Sequence, residues 1–140
     1  METDKLETFI NDHLREDLKV YENHLNHIHS EIMEYNQLRN TASTINTHLK
    51  SGFKTKVDVG ANFFVQAKVD NTDRILVNVG LNHFVEFQLE EAIKFCDFKV
   101  RVLNKEADVI REESLKCRAN IKLALMCIGD RSNLHTENRN

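Results

Sequence analysis

Proline is absent from all 140 residues, where an ordinary frequency near 5% would supply about seven. Nothing therefore forbids long, uninterrupted helices, because proline is the residue that removes a helical N–H and clashes with the preceding turn. Glycine is also scarce, with four residues, two of which, Gly60 and Gly80, lie mid-chain. The three cysteines, Cys96, Cys117 and Cys127, are odd in number, have no CxxC spacing and are accompanied by no N-x-S/T sequon, a pattern that fits a reducing compartment. A net charge of −3 gives no general attraction to nucleic acid or anionic membrane. No apolar run reaches the length of a membrane span. The amino-terminal METDKLETF is acidic and lacks the basic and apolar regions of a secretory leader. The expectation is a soluble intracellular chain, with cytoplasm and nucleus not distinguished by composition, that binds neither membrane nor nucleic acid directly.

Catalytic constellations are missing as well. Neither G-x-G-x-x-G nor G-x-x-x-x-G-K-[ST] occurs, so the usual phosphate cradles are excluded. His24, His27 and His29 invite a metal reading, but no HExxH or cysteine partner accompanies them. They read as a solvated helix face. The stretch Asp70, Asn71, Thr72, Asp73 lacks the glycine and distal glutamate of a calcium loop. No nucleophile is paired with a base, and Cys96 and Cys117 read as small hydrophobes on a helix seam. No enzymatic activity, cofactor or metal is expected.

What is present begins with residues 57–89, the only stretch whose apolar residues recur at every second position. Val57, Val59, Phe63, Val65, Val69, Ile75, Val77, Val79, Val85, Phe87 and Leu89 share odd numbers and so one face of extended strands, expected to be a core. Phe64, Leu76 and Phe84 break the alternation on the other face, pointing to a second buried surface made with another chain. Gly60, the polar turn at residues 70–73 and Gly80 divide the stretch into four strands. Connections this short imply two antiparallel hairpins. So small a sheet is a poor independent domain.

The flanks are helical. In the first, about residues 5–50, Leu14, Leu18, Tyr21, Leu25, Ile28, Ile32 and Tyr35 alternate steps of four and three, slip near residues 35–38, and resume with Ala42, Ile45 and Leu49. A helix of that span is roughly 70 Å long, with Gly52 as its stop. In the second, about residues 89–128, Leu89, Ile93, Cys96, Val100, Leu103, Ala107, Ile110, Ser114, Cys117, Ile121, Ala124 and Ile128 alternate without a slip. The expected architecture is α+β, a single domain over residues 1–140: a long antiparallel two-helix coiled coil with two β-hairpins at one end, and a frayed tail from residue 129. Leu14, Leu18 and Ile121 read first as coiled-coil core. Leu125 and Met126 lie beside the seam, and methionine adapts to varied surfaces.

The order of these elements, with V-x-V-G before the second strand, a D-x-T-D turn, I-x-V-x-V-G before the last strand and E-x-x-L-E-E-A opening the second helix, resembles the α class of prefoldin subunits over essentially the whole chain. Gln37, Leu38, Arg39 and Asn40 are similar as well. The amino terminus is shorter than that class has.

The resemblance implies a non-enzymatic co-chaperone subunit of an ATP-independent hexamer. In such hexamers the hairpins of two α-class and four β-class chains build a double β-barrel, and coiled-coil tips hold unfolded clients. It implies β-class prefoldin subunits and another, URI-like α-class subunit as partners, with RuvB-like ATPases and RNA polymerase assembly factors as associates. A transcriptional-cofactor scaffold is the alternative. Carried onto this sequence, assembly falls on Phe63, Phe64, Val65, Leu76, Val77, Phe84 and Val85. Contact with clients or partners falls on Leu14, Leu18, Leu125 and Met126.

Overall fold

The proline-free flanks are helical in the computed structural model, which describes residues 2–137, with side chains described through residue 130. The elements run α1 (Glu2–Phe9), a π turn (Ile10–Leu14), α2 (Arg15–His48), β1 (Phe53–Asp58), β2 (Phe64–Val69), β3 (Arg74–Gly80), β4 (His83–Gln88) and α3 (Leu89–Glu137). Among the described residues no helix is long and apolar enough to cross a membrane. Contacts gather the chain into two compact units, Ile32–Val102 and the residues on either side of it.

In the unit formed by residues up to Glu31 and from Leu103 onward, the α2 and α3 segments pair through the seam expected from the heptads. Ile28, Leu103, Ala107, Ser114 and Cys117 are buried there. Pairing is antiparallel, since Leu14 meets Cys117 while His24, further along α2, meets the earlier Glu106. The π turn has a sequence cause. Leu6, Ile10, Leu14 and Leu18 are spaced four, four and four, and at 3.6 residues per turn each such step overshoots a full turn by about 40°. The stripe would drift by about 120° across those three steps, and the extra residue of a π turn takes up the drift.

In the unit Ile32–Val102, Ala42, Val77, Leu89, Ala92 and Cys96 form the interior. The Phe95 ring stacks on Phe87 at 5.3 Å and meets Tyr35 edge-on at 6.1 Å, and Arg39 pairs with Asp97 at 2.9 Å. The heptad slip at residues 35–38 leaves no break, because α2 is continuous α-helix through it. The two hairpins are separate two-stranded antiparallel sheets, β1 with β2 and β3 with β4. In the first, Phe53 faces Val69 and Asp58 faces Phe64. In the second, Arg74 faces Gln88 and Asn78 faces Phe84, with a bulge between Asn78 and Gly80. At the start of α3, Glu91 Oε2 accepts the Gln88 N–H at 3.1 Å, the returning half of a capping box.

The second helix runs past the expected end at Ile128 to Glu137. Gly129 stays helical because no positive φ is imposed there and no proline follows. Residues 138–140 of the expected tail lie outside the described residues.

Gly52 does end the first helix's run. Its N–H reaches Leu49 O at 3.1 Å, its φ is +95°, and a Cβ there would lie 2.6 Å from Val69 O. Both the left-handed backbone and the close approach require glycine. Gly52→Ala is therefore expected to cost about 1–3 kcal/mol, read as a lower urea midpoint at unchanged slope.

Candidate functional site

Each hairpin closes through the same device. Asp58 Oδ1 accepts the Gly60 N–H at 2.8 Å, and Asn78 Oδ1 accepts the Gly80 N–H at 3.0 Å. Gly60 and Gly80 both have positive φ, and the next two residues, Ala61 and Asn62 or Leu81 and Asn82, take left-handed backbone. That is the twist-matched tight turn favoured between antiparallel strands. Alanine and leucine are unusual in it, since the left-handed region costs a residue with a Cβ about 1–2 kcal/mol. The sequences VDVGANFFV and VNVGLNHFV are thus an internal repeat, twenty residues apart. Alternation alone did not reveal it, although laying one turn over the other would have.

The turns hold the strands as projecting two-stranded ribbons, and the ribbons are bare. Phe63, Phe64, Leu76 and Phe84 are 72%, 59%, 69% and 63% exposed, and Val65 and Val85 are exposed too. At the tip of the second turn Leu81 is 93% exposed. Val77 is the exception among the seven residues assigned to assembly. It is 1% exposed, its side chain packed into its own unit, so it supports the ribbon and is not part of the free surface. The odd-numbered face also departs from expectation. On β3 and β4 it is covered at Val77 and half-covered at Ile75, Val79 and Phe87, but Val57, Val59, Phe63 and Val65 on the first hairpin are exposed. Alternation placed these residues on one face correctly. Among the described residues, cover on that face of the first hairpin stops near its base, at Phe53, Ala67 and Val69.

The four residues assigned to client or partner contact divide. Leu14 and Leu18 are half-buried in the seam, whereas Leu125 and Met126 are exposed. Leu14 also walls an apolar groove of about 460 Å³ with Leu6, Phe9, Leu123, Ala124 and Cys127. Leu125 lines a smaller hollow of about 220 Å³ with Ile10 and Ile128. Leu6, Phe9 and Leu123 escaped the sequence reading because they lie off the counted seam.

Two of the three clustered histidines act between helices, while His27 faces Glu31 one turn along its own helix at 3.7 Å. His24 Nε2 donates to Glu106 Oε1 at 3.2 Å, and His29 Nε2 accepts from Arg111 Nη2 at 3.0 Å, since a guanidinium can only donate. Among the described residues no three of His, Cys, Asp and Glu gather as a metal would require.

Bare apolar ribbons carried by a helix pair are a shape with known relatives. The family model described as "Prefoldin subunit" matches residues 14–133. The chain belongs to the prefoldin family. Within it the likeness is to UXT, a prefoldin-like protein. Protein UXT of Rattus norvegicus is 36% identical over 121 residues, 86% of this chain and 77% of that protein. The UXT homolog of Nematostella vectensis is 37% identical over 123 residues, again 86% of this chain and 77% of the relative. The prefoldin fold is matched in three dimensions by filamentous PFD from Methanocaldococcus jannaschii, with a TM-score of 0.70 over 85% of this chain and 98% of that one at 22% identity.

The thiols of this prefoldin chain are sharply graded. Burial pushes the Cys96 thiol above its ordinary value, with Asp97 adding to it, and burial does the same at Cys117. Cys117 Sγ also donates to Leu14 O at 3.1 Å. Cys127 is exposed. Because the thiolate is the reactive species, a disulfide reagent at pH 8 is expected to titrate one thiol rapidly and the other two only on denaturation. Mass mapping should place the fast label on Cys127.

Proposed function

We propose that this chain is a non-enzymatic subunit of a prefoldin-like hexameric co-chaperone, joined to its fellow subunits through the hairpins and meeting unfolded clients through the helix pair. The observation that carries this reading is the exposure of large apolar side chains on two-stranded sheets with every edge unpaired. A two-stranded hairpin is marginal in water by itself. An open edge is also a template for another strand. Completion by strands of β-class and URI-like α-class prefoldin subunits would cover both the faces and the edges. Family membership and the archaeal prefoldin likeness support the same reading. For clients, the groove walled by Leu6, Phe9, Leu14 and Leu123, together with exposed Leu125 and Met126, offers adaptable apolar surface.

Fold and assembly separate experimentally. Leu76→Asp or Phe64→Asp places a charge on an exposed position, so helical circular dichroism should stay within a few per cent of wild type. Co-purification with β-class prefoldin subunits should fall at least thirtyfold, about 2 kcal/mol at an interface centre. If either variant assembles like wild type, that side chain is not in the interface. Ile110→Asp, in the seam, should instead lose helical signal and assembly together.

A further inference from the structure

The two hairpins are copies in backbone and unlike in charge. On the even-numbered face of the first, Lys54 and Lys56 stand on β1, and Lys68 stands directly across from Lys54 on β2. Lys68 is neutralised by Asp70 at 3.0 Å. Lys54 and Lys56 are exposed and have no ion-pair partner among the described residues. The one other acid on that ribbon, Asp58, spends Oδ1 on the Gly60 N–H. Twenty residues on, the equivalents of Lys54 and Lys56 are Arg74 and Leu76, and Arg74 is neutralised on its own ribbon by Glu86 at 3.2 Å. The second hairpin is therefore an electrically closed apolar surface. The first sets Lys54, Lys56 and Lys68 against Asp58 and Asp70, a net charge of +1 in a chain whose net charge is −3, with Lys54 and Lys56 outside any ion pair among the described residues.

We infer that the open edge of β1 is a docking site for a strand of a different chain that carries Asp or Glu at two alternate positions, set beside Lys54 and Lys56. The inference rests on the assembly role proposed above and specifies the partner for one of its two hairpins. β1 pairs with β2 alone, so its other edge is free to accept a strand by main-chain hydrogen bonds. Lys54 and Lys56 are two residues apart on one face, about 6.8 Å along a strand, the spacing of carboxylates at i and i+2 on the incoming strand. Opposite charges placed directly across a strand pair stabilise it, and like charges oppose it. A second copy of this chain is a poor occupant for that reason. Antiparallel pairing of β1 with itself about Thr55 would set Lys54 against the copy's Lys56 and Lys56 against its Lys54. The lysines thus favour an acidic partner and disfavour self-pairing through one pair of charges.

The test co-expresses the full chain with β-class prefoldin subunits and measures assembly by size exclusion with light scattering at 50 and 500 mM salt. Wild type should assemble at both and more tightly at low salt, where screening is weak. Lys54→Glu/Lys56→Glu should weaken assembly at least tenfold at low salt, and Lys54→Gln/Lys56→Gln by a smaller factor. The charge-matched control Lys19→Glu/Lys122→Glu, on the helices, should behave as wild type. A reversed double variant that assembles as tightly as wild type at low salt overturns the acidic-partner inference and leaves the assembly role standing. One that keeps its partners but begins to self-associate makes the lysines guards against self-pairing alone, and overturns it too. A wild type that forms no complex with those subunits removes the assembly role and this inference together.

Discussion

Two-stranded sheets cannot bury their own faces, and that limit governs the hairpin half of this protein. A helix can close an apolar stripe against one neighbouring helix, as α2 and α3 do with Ile28, Leu103, Ala107 and Cys117 in one unit and Ala42, Ala92 and Cys96 in the other. A ribbon has two faces and two edges. Here β3 and β4 obtain cover for one face at Val77 and partial cover at Phe87, which stacks on Phe95. β1 and β2 obtain cover only near their base, at Phe53, Ala67 and Val69. The remaining apolar area is exposed to water. Burying one such side chain is worth about 1.5–3 kcal/mol, so a few of them completed together are enough to decide whether the chain stands alone.

That exposure is maintained by backbone features that do not depend on a partner. Gly52 turns the chain out of its helix at a point where a Cβ would lie 2.6 Å from the Val69 carbonyl oxygen, in a conformation an L-residue with a Cβ resists. Thr72 Oγ1 donates to Lys50 O at 3.3 Å, tying the inter-hairpin link to the end of the helix run, and the Leu89 N–H reaches Asp73 O at 3.3 Å where α3 begins. The bases of both hairpins are thus fixed within their own unit while their tips project. Strained left-handed Ala61 and Leu81 persist because the Asx bond and glycine before each turn already dictate its shape. A rigid ribbon forfeits less entropy on binding than a loop that must first order.

Much of this was legible in sequence, for physical reasons that also mark where legibility stops. Period counts found α3 because each of its twelve seam residues, from Leu89 to Ile128, lies on the one stripe that is buried or half-buried. They found the four strands because odd and even residues differ in polarity. The π turn was written in the three four-residue steps from Leu6 to Leu18, but the seam count began at Leu14 and passed over it. Periodicity assigns side chains to a face without saying what covers that face, so Val57, Val59, Phe63 and Val65 fall on an expected core face and yet are exposed. Val77 lies on the covered face, as its odd number places it, and only the family resemblance assigned it to assembly. Gly129 misled in another way, since glycine ends a helix only where the backbone turns left-handed, as at Gly52, and the letter alone does not show which.

The repeat explains how one chain can present two surfaces from one design. What recurs after twenty residues is the turn: an Asp or Asn that accepts the glycine N–H, the glycine itself, and an asparagine in left-handed backbone. These residues answer to backbone geometry, which tolerates few alternatives. The strand positions flanking them answer to whatever covers the ribbon, and there the two hairpins differ: lysine at position 56 corresponds to leucine at 76, and glutamine at 66 to glutamate at 86. Glu86 gives Arg74 its counter-ion at 3.2 Å, whereas no carboxylate stands where Gln66 faces Lys56. Matching turns thus close both ribbons in the same way, while the charge carried on their strands differs. Charge can distinguish two ribbons that share one turn, because a like charge across a strand pair opposes that pairing while leaving the turn geometry untouched.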